Sequence, residues 1–166
     1  MTIPRWNPPI TLSRQEQFLM KRLDRVRKLF GFLRQHRHEL FDEAFQTELE
    51  GMYRNTGSGK TPIAPAQLAM ASLLQGYVGA SDAEAVELTV VDLRWQMVLG
   101  CLGAVEPAFS QGALHDFRHR MIRADLDRAL LERTVDLARR TGGFDSKKLP
   151  KSLRVAMDSS PLEGAG

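Results

Sequence analysis

Residues 61–100 read TPIAPAQLAMASLLQGYVGASDAEAVELTVVDLRWQMVLG, and Thr61 to Ser81 carries no charged side chain over 21 residues. That length is near the roughly 20 apolar residues that cross a bilayer. Pro62, Pro65, Gln67, Ser72, Gln75, Gly76 and Gly79 make the stretch too polar and too broken to span, so it reads as a buried helix. Pro65 suits its first position, and apolar residues then run nearly all round to about Val78. Ser81 and Glu84 form a capping box, opening a helix or helix pair that ends near Leu99 with Gly100 as terminator. A helix that is apolar on every side must be covered by other helices. The chain is therefore expected to be mainly α, a multi-helix domain built around 65–78.

Upstream, residues 1–12 hold Pro4, Pro8 and Pro9 without periodicity and read as an extended arm. Ser13 and Glu16 make another capping box. Leu19, Leu23, Val26, Phe30 and Leu33 follow at spacings of 4, 3, 4 and 3, one apolar seam along one long helix. Between Thr11 and His38 there are eight Arg or Lys against Glu16 and Asp24, a local balance of +6. An acidic helix from about Glu39 to Arg54 follows, with the seam Phe41, Phe45, Leu49 and Met52.

Downstream, Ser110 caps a short basic helix to about Arg123, and Asp125 to Thr141 forms another, stopped by Gly142 and Gly143. In the short helix Leu114, Phe117 and Met121 form the apolar seam. The opposite side carries His115, Asp116, His119, Arg120 and Arg123, with Arg118 on the flank. A short, capped, basic helix after a tight connection is what a helix-turn-helix reader presents to a major groove. The helical domain thus spans 13–143. In 144–166, a linker leads to Leu153, Val155 and Met157 alternating with Arg154, Ala156 and Asp158, the pattern of one strand with a carboxylate at its end.

The remaining signals narrow the chemistry. With 43% hydrophobic and 26% charged residues the 166-residue chain is globular in composition. The single Cys101 excludes an intrachain disulfide and fits a reducing compartment. With no apolar leader in MTIPRWNPPITLSRQEQF, a cytoplasmic protein is expected. The stretch GSGKT at 57–61 suggests a phosphate loop, but that pattern requires glycine where Arg54 stands and a strand before it. No nucleotide is expected. His115 and His119 share a helix face and could bind a metal; no third ligand at suitable spacing accompanies them, so a solvated or phosphate-contacting pair is the better reading.

Three stretches resemble one family: 61–100, FSQGALHDFRHRM (109–121) and RVAMDSSPLEGAG (154–166) are similar, in the same order, to bacterial insertion-sequence DDE transposases with an InsH-type helical N-terminal domain. The resemblance covers 12–166. It implies that the strand opens a ribonuclease H-like catalytic domain and that Asp158 is the first of three carboxylates holding two Mg2+ or Mn2+ ions. The second aspartate and the glutamate have no counterpart here, so no metal, no cleavage and no strand transfer are expected of this chain alone. The expected role is recognition of transposon terminal inverted repeats in double-stranded DNA, with nucleoid association through DNA and possible homo-oligomers. The expected contacts are His115, Arg118, His119, Arg120 and Arg123 on the short helix and Lys21, Arg25 and Lys28 on the first. The alternatives are a protein-interaction domain pairing through the 19–33 seam and a non-functional remnant.

Overall fold

The computed structural model describes residues 2–23, 28–53, 62–142, 145 and 147, and over them the chain forms eight helices and no strand. The alternating segment 153–158, with Asp158, and the whole GSGKT stretch lie outside the described residues.

The fourth helix, α4 (Pro65–Val78), is the axis of the molecule and packs against α3 (Glu43–Glu50), α5 (Asp82–Val91), α6 (Leu93–Leu99) and α7 (Gln111–Arg123). Pro65 starts it, and Gly79 ends it in the left-handed region at φ 72°, donating its N–H to the Gln75 carbonyl. Leu68, Ala69, Met70, Ala71, Leu73 and Leu74 are each at most 2% exposed. Burying each of the larger ones contributes roughly 1.5–3 kcal/mol. The polar groups of α4 are satisfied within the protein: Ser72 Oγ donates to the Leu68 carbonyl at 3.0 Å and Gln75 Nε2 to Asp82 Oδ1 at 2.7 Å. Among the described residues no helix is long and apolar enough to cross a membrane.

Ser81 and Glu84 complete the expected capping box at the start of α5. The helix pair divides at Asp92, whose extended backbone and side chain, accepting from the Arg94 and Trp95 amides, start α6 afresh. Gly100, at φ 73°, terminates it. Gln96 then ties the following loop to the α5 end. Its Nε2 donates to the carbonyls of Thr89, Val90 and Ala104 at 3.0, 3.1 and 2.8 Å, and its Oε1 accepts from the Gly103 amide at 3.1 Å. That loop delivers the chain to Ser110, which caps α7 by accepting from the Ala113 amide. The last helix, α8 (Leu126–Thr141), packs on α7. Arg133 pins it to the end of the second helix, its Nη2 donating to the Leu40 carbonyl at 2.8 Å.

The start of the chain departs from expectation. In place of one long helix there are α1 (Arg14–Leu23) and α2 (Lys28–Leu40), which pack on each other. Arg34 Nη2 reaches Glu16 Oε1 at 3.2 Å. In a continuous helix these residues would lie about 27 Å apart at 1.5 Å per residue. The physical reason is that α2 is apolar on more than one side: Leu29, Phe30, Phe32 and Leu33 are all 4% exposed or less, and α1 contributes part of their cover. The following helix likewise begins later than expected, at Asp42, whose carboxylate accepts from the Phe45 amide.

Residues 2–12 form neither helix nor strand, and they are strapped down. Arg34 Nη1 and Nη2 donate to the Ile10 and Thr11 carbonyls, Arg37 Nη2 to the Pro9 carbonyl at 3.0 Å, and Gln46 grips Trp6 through both its amide and its carbonyl. Trp6 also packs edge-on against Phe41 with centroids 5.7 Å apart.

Candidate nucleic-acid interface

The helix α7 is held by its inward side. Leu114, Phe117 and Met121 are 0–1% exposed. Between them lies Arg118, also 1% exposed, whose Nη1 and Nη2 donate to the two Asp82 carboxylate oxygens, the second at 2.9 Å. Nη1 donates as well to Gln75 Oε1 at 3.0 Å. Burial by itself pushes the Asp82 carboxyl up, but the hydrogen bonds from Arg118 and Gln75 outweigh it and hold the group below its usual range. This corrects the placement of Arg118 on an outward flank: it is an interior anchor joining α7 to α4 and α5. Its spacing carried the signal. Four residues after Leu114 and three before Met121, it lies about 40° and 60° from them around the helix, within the apolar seam.

The outward side holds His115 and Arg123, both exposed, and half-buried His119 and Arg120. His115 and His119 approach each other, Nε2 to Nε2, at 3.1 Å. Asp116 Oδ1 lies 3.5 Å from His115 Nδ1. Arg120 is partly occupied. Its guanidinium sits 4.5 Å from the Tyr53 ring centroid and donates to the Met52 carbonyl at 3.3 Å, tying α7 to the end of α3. Burial pushes the Tyr53 phenol up, with the Arg120 cation opposing. Cation–ring contacts of this kind are worth about 0.5–2 kcal/mol.

The second expected basic surface is only partly in view. Lys21 on α1 and Lys28 on α2 are exposed, while Arg25 lies outside the described residues. Because α1 and α2 are separate helices, these lysines do not share one continuous helical stripe. Cations not singled out from the sequence are exposed on α8, including Arg128 and Arg139. Among the described residues no group of three or more His, Cys, Asp or Glu is arranged to hold a metal.

A family model described as Transposase domain (DUF772) matches residues 19–120, from within α1 to within α7. Neither a curated protein nor a solved structure matches the chain.

Proposed function

Because the chain belongs to the transposase domain family (DUF772), we propose that it serves as a DNA-binding portion of a transposase and engages duplex DNA at transposon terminal repeats through α7. The observation that carries this reading is the division of labour along α7: Arg118 and the apolar seam lock the helix inward while His115 and Arg123 are exposed and His119 is half-buried beside them. A helix so held can enter a groove without losing its own packing. Arg123 is the best placed base reader, since Arg120 is engaged with Tyr53 and Met52. Lys21 and Lys28 supply phosphate contacts that strengthen binding without reading sequence.

Pairing between protomers through the 19–33 seam has less to offer. Leu23, Phe30 and Leu33 are already buried within one chain. Asp158, in the role the resemblance gives it, serves metal ions and not this surface, so Asp158→Ala should leave duplex binding unchanged.

The test is a titration of the chain with terminal-repeat and random duplexes at two salt concentrations. Arg123→Ala should lower discrimination between the duplexes by about 1–3 kcal/mol, the worth of a good base contact. Lys21→Ala and Lys28→Ala should weaken both duplexes alike and make the salt slope shallower by about one unit each. No salt-dependent binding to either duplex would overturn the reading; equal loss of both duplexes in Arg123→Ala would reduce α7 to a phosphate contact.

A further inference from the structure

We propose that His115 and His119 form an open two-histidine chelate for a borderline divalent transition metal of the Zn2+, Ni2+ or Cu2+ class. The residues stand one turn apart on α7, where side chains four residues apart are neighbours. Their Nε2 atoms are 3.1 Å apart and the ring centroids 4.4 Å. With two N–metal bonds of about 2.0–2.1 Å, that separation subtends about 100° at a shared metal. The angle falls between the ~90° of square-planar or octahedral sites and the ~109° of tetrahedral ones.

Other features point the same way. Asp116 lies on the Nδ1 side of His115 at 3.5 Å, the side on which a carboxylate orients a metal-bound imidazole and leaves Nε2 free to ligate. The helix is already fixed by the buried Arg118–Asp82 pair, so the ligands need little ordering on binding. The His115 side chain is 51% exposed, which leaves the remaining coordination positions to water. Without metal, one imidazole donates its Nε2–H to the other; on binding, that ring carries its proton on Nδ1 instead, so that both Nε2 lone pairs ligate and two coordinate bonds replace the single hydrogen bond. The lone thiol does not compete: burial pushes Cys101 up, keeping it protonated. The spacing alone left this pair without a third ligand. A closed structural site needs one, whereas an open chelate completed by water does not.

The experiment uses the full chain in metal-free buffer, without DNA, so that its outcome is independent of the DNA-binding reading. Zn2+ is titrated calorimetrically, and thermal unfolding is followed with and without it. One Zn2+ per chain is expected, with a raised unfolding midpoint. His115→Gln and His119→Gln should each weaken binding by about tenfold or more and abolish the Zn2+-induced shift, while melting like the parent in metal-free buffer. His36→Gln should bind as the parent does, since His36 is paired instead with Glu39, Nδ1 to Oε1 at 2.8 Å. Absence of saturable binding in the parent would overturn the proposal. So would unchanged binding in the His115 and His119 variants, or loss of binding in the His36 variant.

Discussion

Arg118 and Asp82 show how much one misplaced charge would cost. Both side chains are nearly sealed from water, at 1% and 5% exposure, and removing one partner of such a pair leaves the other charged and unpaired. Arg118→Met should therefore destabilise the protein by about 3–5 kcal/mol. Asp82→Asn should cost a comparable amount, and the double variant less than the sum because the two share one interaction. Chemical denaturation of the three variants measures this; a loss below about 1 kcal/mol for Arg118→Met would place the pair in solvent-like surroundings. The acid limb follows from the same contact. A carboxyl held below its ordinary range contributes stability that is complete above its unfolded value, about 3.9, and is lost as the pH falls through the lower folded value. Denaturation between about pH 4 and pH 2 should be less steep in Arg118→Met than in the parent protein. Arg118 also marks a limit of reading by charge: an arginine looks like surface until its spacing from Leu114 and Met121 is counted. His115 and Arg123, which sit off that seam, were legible from spacing alone.

Helix ends were the most legible part of the chain wherever a stop or start has a local chemical cause. The Ser81–Glu84 box, the Ser110 cap and the glycines after α4, α6 and α8 all lie where side-chain chemistry requires them. The division between α1 and α2 had no such marker. The apolar spacing continues through it, and no glycine or proline lies between Leu23 and Lys28; the break follows from what α2 must bury, which is a matter of tertiary contact. Two left-handed glycines of nearly equal φ, Gly79 and Gly100, offer a controlled comparison. A Cβ at Gly79 meets nothing within 4 Å, whereas one at Gly100 meets Pro8 Cβ at 3.2 Å. Gly79→Ala should cost about 1–2 kcal/mol from backbone strain alone. Gly100→Ala should cost more and change Trp6 fluorescence, since Trp6 Nε1 is also within 3.6 Å of that position. Equal costs and an unchanged Trp6 signal would mean the arm does not press on the α6 terminus.

Charge is distributed over the molecule in a way the net value of +3 conceals. Several arginines are internal fasteners: Arg34 and Arg37 hold the arm, Arg118 anchors α7 and Arg133 pins α8. Counting basic residues therefore overstates the cationic surface available to a polyanion. The +6 balance of 11–38 includes Arg34 and Arg37, which are 1% and 3% exposed. Replacing either by leucine should leave the salt dependence of duplex binding unchanged in folded protein while lowering stability. Neutralising Lys21 or Lys28 should do the reverse. A changed salt slope in the Arg37 variant with its melting temperature intact would return that side chain to the surface.

Arg37 has one more consequence, for the order in which the chain is assembled. Burial and the nearby Arg34 cation push its guanidinium down to about 10, and its acceptors are carbonyls: Pro9 on the arm, Met97 and Val98 at the end of α6. The Pro9 and Met97 carbonyls are separated by 88 residues, 9 to 97, and meet on this one side chain. At about 5–20 residues per second the ribosome needs roughly 4–18 s to make that interval. During it the arm and α2 exist without the surface that receives them. On the nascent chain, the arm should stay open to protease until α6 has emerged, then become resistant in one step. Pulse proteolysis of stalled chains of increasing length would record that step, and protection of the arm before α6 emerges would show that α2 and α3 suffice to seat it.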